Sequence, residues 1–293
     1  MKIFLFSLPA LAALLAGNGA GALADPPAAA RAGAEAFPLR LAQGALWRAH
    51  LPPGSQLELL AADGAATAVR IGADGGFALA AGRDEAGPLR LRLRQPGHEA
   101  QTIEIAVEAR QWRLERIEGV PEATVNPPPA IAARIAREQA LVSAARTRDD
   151  ERDDYEAAFQ WPVQGRISGV YGSQRIYNGT PKSPHSGLDV AAVKGTPVHA
   201  PAAGVVTLAE PDLYLTGGTV LLDHGHGLSS NFLHFSRIDV KLGERVEQGQ
   251  VIGLVGATGR ATGPHMHWGM NWFDVRIDPQ LLLPPPTPAA AKP

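Results

Sequence analysis

The chain has 293 residues, of which 45% are hydrophobic and none is cysteine, and its formal net charge is -2. This length and hydrophobic content suffice for two ordinary domains, each with its own core. The weak charge argues against a polyanion-binding protein, so no nucleic-acid partner is expected, and the lack of cysteine excludes disulfides, thiolate zinc sites and cysteine nucleophiles.

The N-terminus has the pattern of a secretory signal. A short basic n-region, Met1-Lys2, precedes an apolar stretch over residues 3–15, and Ala22-Leu23-Ala24 fits the small-residue rule for cleavage before Asp25. An uncleaved membrane anchor is the weaker alternative, because a spanning helix needs about 20 apolar residues. Residues 1–24 are therefore predicted to be a signal peptide. The mature protein is expected to be periplasmic, or secreted, without stable membrane insertion.

Residues 37–118 are predicted to form a small β-sandwich domain. Apolar and basic residues alternate strictly in Leu89-Arg90-Leu91-Arg92-Leu93-Arg94, and breaks that contain Gly or Pro recur at regular spacing. Acidic residues are interleaved through the same region. The arginines therefore indicate a solvated strand face rather than a nucleic-acid site.

A largely polar helix is predicted to follow this domain. Pro127-Pro128-Pro129 ends the β pattern, and residues 127–157 are rich in Ala, Arg and Glu with sparse apolar positions. We interpret this segment as a linker helix, and the charged run 146–154 as a solvated face of it. At the other end of the chain, the Pro- and Ala-rich tail 284–293 is predicted to be disordered.

Residues 159–283 are predicted to form a second β domain that contains the functional site. Gly-rich breaks separate apolar segments of strand length, and seven of the nine histidines of the chain lie between His185 and His267. A lone histidine is usually a packing or surface residue, but the spacing within this cluster is specific.

His185 and Asp189 can bind one metal ion only if the chain bends between them. Residues four apart in an extended strand are separated by about 13 Å, whereas metal–ligand bonds are about 2 Å long. A helix or a bent loop would bring the two side chains together, and Pro184 and Gly187 favour a kinked loop that runs into a strand.

His265 and His267 follow the opposite rule, because side chains two apart in a strand point to the same face. One of them could bind an ion while the other reaches the bound water or the substrate, and strand geometry does not say which. Two histidines and one carboxylate, with a fourth position open for water, are the ligands expected of catalytic zinc.

These motifs make the C-terminal region similar to the LytM/lysostaphin-type zinc metallopeptidases, a family of bacterial cell-wall endopeptidases. The resemblance covers about residues 161–283 and rests on several short sequence motifs. Each motif alone is a weak indication of the family, but all of them in this order are a strong one. Residues 37–118 resemble, less closely, the β-rich domain that precedes the catalytic domain in some secreted Gram-negative members. The motifs that carry the resemblance of residues 161–283 are Val170-Tyr171-Gly172-Ser173-Gln174-Arg175, His185-Ser186-Gly187-Leu188-Asp189, Ala200-Pro201-Ala202-Ala203-Gly204, Asp223-His224-Gly225, Phe232-Leu233-His234-Phe235-Ser236 and Thr258-Gly259-Arg260-Ala261-Thr262-Gly263-Pro264-His265-Met266-His267.

The resemblance implies a role for each of five residues. His185, Asp189 and His267 match the zinc ligands of the family, with one zinc ion per catalytic domain. His265 matches the first histidine of the H-x-H pair, which acts on the substrate side, and His234 matches the other catalytic histidine. With no Glu beside the metal motif, either histidine could take the proton from water while the other supports charge on the tetrahedral intermediate.

Two positions depart from the family pattern. Phe232 stands where many members have a tyrosine, so a hydroxyl that could help to bind substrate is absent. His226 lies in the turn 223–227, where a small or amide residue is commoner. We interpret His224 and His226 as turn residues rather than ligands.

The implied fold is all-β with a linker helix, in which a C-terminal β-barrel-sandwich of the duplicated hybrid motif follows the small β-sandwich. The implied activity is that of a secreted zinc endopeptidase that hydrolyses peptide bonds in peptidoglycan crosslinks or stem peptides. The substrate would be the peptide part of peptidoglycan, and any partners in cell division or the envelope are not identified by the sequence.

Two other functions compete with this one. A catalytically silent family member could bind cell wall or activate other murein hydrolases, although all five site residues are present here. The segment Val246-Glu247-Gln248-Gly249-Gln250-Val251-Ile252-Gly253 resembles the hairpin of biotin- or lipoyl-carrying domains, but residues 251–264 contain no lysine for attachment.

Overall fold

In the computed structural model of the chain, residues 37–119 and 122–284 are described. The predicted signal peptide 1–24 and residues 285–293 of the predicted tail lie outside this part of the chain. Within the described ranges, no helix is both long and apolar enough to cross a membrane.

Residues 37–119 form short strands, as the alternating pattern predicts. β1, β7, β6, β3 and β4 form one sheet in that order, and β2 pairs with β5 in another. Residues of both sheets share one core, to which Leu57, Phe77 and Ile105 contribute. In chain order the strands are β1 (Arg40–Ala42), β2 (Leu46–His50), β3 (Gln56–Leu60), β4 (Ala66–Val69), β5 (Gly76–Ala80), β6 (Leu89–Arg94), β7 (Gln101–Glu108) and β8 (Leu114–Ile117).

The alternating segment forms β6, and its arginines lie on the solvated side as predicted. Its leucines are buried, whereas Arg90 donates to Glu104 at 2.9 Å and Arg92 donates to Glu58 at 2.6 Å. These are cross-strand pairs on the face away from the core.

The predicted linker helix is shorter than its pattern suggested. Among the described residues, helical structure consists of α1 (Glu122–Val125), α2 (Pro129–Ala144) and two short 3-10 turns, Asp153–Glu156 and Pro279–Leu282. Pro129 lies at the first position of α2, where a missing N–H is tolerated. The prediction of helix to residue 157 is therefore wrong beyond Ala144.

The charged run 146–154 is not the solvated helix face that was predicted. Asp149 accepts a hydrogen bond from Arg70 of the N-terminal β region at 2.6 Å. Arg152 pairs with Asp223, and Asp154 pairs with Arg245 of the C-terminal region. The run thus joins two β regions. Because its side chains contact both regions, they cannot all lie on one solvated face of a helix.

The C-terminal region supplies the remaining strands. In chain order they are β9 (Arg166–Gly169), β10 (Gln174–Tyr177), β11 (Thr180–Pro181), β12 (Gly187–Ala191), β13 (Pro197–His199), β14 (Gly204–Leu213), β15 (Gly217–Asp223), β16 (Leu228–Phe235), β17 (Arg237–Ile238), β18 (Arg245–Val246), β19 (Val251–Leu254), β20 (His265–Trp272) and β21 (Val275–Ile277).

An eight-stranded sheet dominates this region, in the order β18-β14-β15-β16-β20-β12-β9, with β21 paired to β20. Smaller sheets are β13-β19-β17 and β11-β10-β8, the last formed by parallel pairing of β8 with β10. The mostly β architecture confirms the predicted fold class, as a β-rich sandwich with an open rather than a closed main sheet.

One side of the eight-stranded sheet carries the candidate site, and we call it the histidine face. Direct pairs across the strands place its members side by side: Asp189 opposite His267, His267 opposite Leu233, and Asn231 opposite Leu221. The opposite side packs into the main core.

Helix α2 lies against the histidine face. Its Val142, together with Ala145 just beyond its end, packs on a separate apolar cluster of Leu208, Leu213 and Leu221. The main core itself continues from Phe37 to Ile277. Contacts therefore cross the predicted domain boundaries, which remain predictions.

Candidate metal centre and catalytic site

The segment from His185 to Asp189 is a bent loop that enters a strand, as predicted. His185 precedes β12, and Asp189 is the third residue of that strand. The bend brings His185 Nε2 to 3.1 Å from Asp189 Oδ1. Both residues are buried, at 4% and 8% exposure.

His265 and His267 lie on one face of β20, and only one of them joins this pair. His267 Nδ1 is 2.8 Å from Asp189 Oδ1 and 3.0 Å from His185 Nε2. His265 Nε2 is farther away, at 3.8 Å from Asp189 Oδ1. The ligand atoms of His185, Asp189 and His267 therefore form a group that could hold a metal ion.

The geometry of this group suits zinc. With bonds of about 2.0–2.1 Å, the ligand atoms of a tetrahedral zinc site lie about 3.3 Å apart. The three observed separations of 2.8, 3.0 and 3.1 Å are close to this value. Two imidazole nitrogens and one carboxylate oxygen also match the donor preference of zinc.

A hydrogen bond sets the tautomer of His185. Its Nδ1 donates to the carbonyl oxygen of Val170 at 2.9 Å. The proton must therefore be on Nδ1, which leaves Nε2 with a free lone pair that faces Asp189 and His267. Orientation of a ligand histidine by its second nitrogen is the usual arrangement in metal sites.

The electrostatic surroundings of Asp189 and His267 favour the protonation states in which these side chains can bind a metal ion. Burial would raise the pKa of Asp189, but the adjacent imidazole rings of His185 and His267 outweigh it and hold that pKa well below its usual range. Burial lowers the pKa of His267 to about 4, although the Asp189 carboxylate acts in the opposite direction. A carboxylate and neutral imidazoles are the forms that bind metals.

His234 and His265 lie beside the ligand group. Their ring centroids are 4.7 Å apart, and the ring of His234 is 6.5 Å from that of His267. His234 Nδ1 donates to the Thr258 carbonyl at 2.7 Å, and His265 Nδ1 donates to the Gly263 carbonyl at 2.9 Å. Each ring therefore keeps an unprotonated Nε2. Burial also lowers the pKa of His234 to about 4.

A left-handed backbone conformation accompanies the placement of His234. Leu233 is on the histidine face, so strict alternation would turn His234 to the other side. Its φ of +67° interrupts the extended backbone, and its ring lies next to His265. Strand periodicity could not have predicted this reversal, since non-Gly residues rarely adopt positive φ.

Sequence reasoning missed two glycines that make room for the ligands. A Cβ on Gly169 of β9 would lie 2.4 Å from Asp189 Oδ2, and a Cβ on Gly187 would lie 2.8 Å from His267 Nε2. Arg175, quoted within a motif but given no role, lies 3.5 Å from Asp189 Oδ2 and also pairs with Glu115 of β8.

The other singled-out residues lie outside the ligand group. His224 is fully buried, between the Ala203 carbonyl at 2.7 Å and the Ser230 hydroxyl at 2.8 Å. His226 stacks on Tyr155 at 4.1 Å. Phe232 is buried opposite Trp268, on the core side of the sheet. The side chain at position 232 therefore faces away from the site.

A second group of ligand-type residues, His50, Asp74 and Glu156, joins the N-terminal region to the segment after α2. His50 Nε2 is 2.9 Å from Asp74 and 3.1 Å from Glu156, and Tyr155 also donates to Glu156 at 2.9 Å. These contacts are those of an ion-pair network.

Comparison with known proteins agrees with this geometry. The sequence model of Peptidase family M23 matches residues 183–279. A solved structure of a candidate peptidase M23 from Pseudomonas aeruginosa is 33% identical, with a TM-score of 0.61 over 83% of this chain and 94% of that one. The chain belongs to peptidase family M23, which confirms the resemblance drawn from the motifs.

Two relatives of known name match smaller parts of the chain. Peptidoglycan DD-endopeptidase ShyA of Vibrio cholerae is 41% identical over 124 residues, which cover 41% of this chain and 29% of ShyA. Cell division protein DipM of Caulobacter vibrioides is 31% identical over 166 residues, which cover 55% of this chain and 26% of DipM. The match thus spans less than a third of either relative.

Proposed function

We propose that this protein is an exported, zinc-dependent endopeptidase that hydrolyses peptide bonds in peptidoglycan. The observation that carries the proposal is the convergence of His185, Asp189 and His267, with His234 and His265 beside them. The similarity to a peptidoglycan DD-endopeptidase supports the substrate class. The signal pattern of residues 1–24 supports action in the periplasm.

His185, Asp189 and His267 would hold the zinc ion. Bound there, zinc supplies Lewis-acid chemistry, which makes a water more acidic and a peptide carbonyl more electrophilic. The buried Asp189 carboxylate supplies negative charge to the site, and the Val170 carbonyl keeps His185 in the ligand tautomer.

His234 and His265 would move the protons. Each has a protonated Nδ1 on a backbone carbonyl and an Nε2 with a free lone pair. One Nε2 accepts a proton from the water as its oxygen adds to the carbonyl carbon. The ring that takes this proton returns it to the leaving amine as the C–N bond breaks. The other ring, protonated from solvent, can stabilise the oxyanion.

Digestion of purified sacculi tests the proposal. We expect zinc-loaded wild-type protein to release soluble peptide fragments, and we expect Asp189→Ala and His185→Ala to lose both activity and stoichiometric zinc. His98→Ala, a change of an exposed histidine in the N-terminal region, is the matched control. Unchanged digestion by both ligand variants would rule the proposal out.

Metal analysis separates the enzyme from a silent relative. A member that only binds cell wall or activates other hydrolases needs no metal, so it would retain no stoichiometric zinc after purification. His234→Ala sharpens the distinction, because we expect it to keep zinc while its rate of digestion falls by about 100-fold or more.

A further inference from the structure

A cavity of about 320 Å³ lies between helix α2 and the histidine face. Arg146 lines it just beyond the end of α2, and Asn231, Leu233 and Arg276 line it from the sheet. Ser186, the residue after His185, forms part of its wall. The cavity therefore opens next to the metal group, and its residues have no part in the mechanism above.

Two unpaired guanidinium groups share this cavity. Within residues 37–119 and 122–284, neither Arg146 nor Arg276 has a hydrogen bond or ion pair from its side chain, and Arg146 Nε is buried without a partner. Burial, with repulsion from Arg276, lowers the pKa of Arg146 to about 10, although attraction from the Asp274 carboxylate acts in the opposite direction. Arg276 is an exposed residue whose side chain lines the cavity.

The acidic residue that lines the same cavity is already engaged. Glu138 accepts hydrogen bonds from Arg134 at 2.6 Å and from the Tyr214 backbone N–H at 2.8 Å. Two like charges without a carboxylate at hydrogen-bond distance are unfavourable where one of them, Arg146, is partly buried. Their proximity is readily explained by an anionic ligand.

Buried amides add neutral polar groups to the same face. Asn231 is 3% exposed, and its Oδ1 is buried without a partner. Asn271, which pairs with Arg276 across β20 and β21, is 1% exposed and has the same unpartnered atom. An amide can present its oxygen or, after a flip, its NH₂ group to a ligand.

We infer that this cavity binds a carboxylate of the peptide substrate, held by Arg146 and Arg276 with Asn231 beside them. The inference rests on the proposed function, which makes the ligand a peptide. A guanidinium fork matches a carboxylate with two parallel N–H···O bonds, and two forks fix its direction. Because Arg146 follows α2, the helix region contributes to substrate recognition.

Binding of two matched peptides tests the inference. One is a synthetic crosslinked peptidoglycan peptide with free terminal carboxylates, and the other carries carboxamides at those positions. Affinity is measured on zinc-loaded protein with His234→Gln, which slows cleavage. We expect the carboxylate peptide to bind about tenfold or more tightly than the carboxamide.

Substitutions of the two arginines test whether the preference for the carboxylate peptide arises in the cavity. Arg146→Gln and Arg276→Gln should each remove most of it, whereas Arg94→Gln, on the exposed side of β6, should retain it. Removal of one of two unpaired, repelling charges should leave the melting temperature unchanged or higher. A role that is merely structural would lower it.

Each outcome decides between the inference and the proposed function. Equal affinity for the two peptides, absence of binding, or a preference that survives in both variants would overturn the carboxylate site. If wild-type protein cleaves both peptides equally well, the proposed function stands without this site. If the preference depends on the arginines but wild-type protein cleaves neither peptide, the site stands and the proposed function fails.

Discussion

At the residue scale, the ligand group depends on neighbours that supply no ligand atom. Val170 sets the tautomer of His185 through its carbonyl, and Gly169 leaves space beside Asp189. Arg175 faces the second oxygen of the same carboxylate at 3.5 Å. Such neighbours position the ligands, and their loss typically costs about 10–100-fold in metal affinity or activity.

Substitution of Gly169 tests this positioning role. In Gly169→Ala the new methyl would lie 2.4 Å from Asp189 Oδ2, so the carboxylate must move. We expect zinc affinity to fall by about tenfold or more, measured by competition with a chromogenic chelator. Gly87→Ala is the control, because a methyl there meets no atom within 4 Å. Equal zinc affinities in the two variants would contradict the role.

His224 gives a pH dependence of stability that is separate from the metal. Burial lowers its folded-state pKa to about 4, whereas an unfolded histidine titrates near pH 6.5. Its contribution is therefore fully present above about pH 6.5 and is lost as the pH falls toward 4, on the order of 2–3 kcal/mol by pH 4.5.

Urea unfolding at pH 7.5 and pH 4.5 measures this loss. We expect His224→Gln to be less stable than wild type at pH 7.5 but to lose less stability between the two pH values. His98→Gln should show the wild-type pH dependence. An equal loss in wild type and in His224→Gln would refute the assignment.

At the element scale, α2 is attached to the histidine face by few apolar side chains. Val142 and the adjacent Ala145 contact the cluster of Leu208, Leu213 and Leu221, and no residue of the helix is buried. A helix of this kind is stabilised mainly by tertiary packing. Its position over the sheet therefore depends on this small apolar contact and on the hydrogen bonds that Arg134 and Glu138 make with Asp212 and Tyr214.

An uncharged polar group placed in this contact should loosen the helix. We expect Val142→Asn to destabilise the protein by about 1–3 kcal/mol, because an amide would be buried against leucines. Leu141→Asn is the matched control, since Leu141 is already 44% exposed. Thermal unfolding compares the two, and equal melting temperatures would show that α2 does not rely on Val142.

The sequence could predict those elements that depend on neighbouring residues alone, such as strands with alternating polarity and bends at Pro or Gly. β6 and the same-face pair in β20 arise from strict alternation, and the bend before β12 arises from Pro184 and Gly187. The choice of His267 over His265 as a member of the group depended on registers between β12, β16 and β20, which no local pattern contains. The cavity of Arg146 and Arg276 could not be predicted either, because its residues are far apart in the chain. The helix ends at Ala144 rather than at residue 157 because the residues that follow form ion pairs with distant parts of the chain.

At the scale of the whole molecule, metal binding should be linked to folding. The three proposed ligands come from a loop and from two strands of the main sheet, so an unfolded chain cannot present them together. A ligand that binds the folded state alone stabilises it by about 2.7 kcal/mol when its free concentration is 100 times its Kd. Zinc should therefore raise the stability of the entire fold.

Removal of the metal tests this linkage. We expect a chelator to lower the melting temperature of zinc-loaded wild-type protein and to leave Asp189→Ala unaffected. Return of zinc should restore the wild-type value. A wild-type melting temperature that is the same with and without the chelator would show that the group holds no metal in solution.

The parallel pairing of β8 with β10 has a consequence for the integrity of the chain. A protease cut between residues 118 and 122 would sever the covalent link but not the main-chain ladder that joins Leu114–Ile117 to Gln174–Tyr177. Glu115 on the first fragment would still face Arg175 on the second. The nicked protein would be a two-chain complex whose proposed metal ligands all lie on the second fragment, so separately prepared halves should be able to reassemble into one molecule.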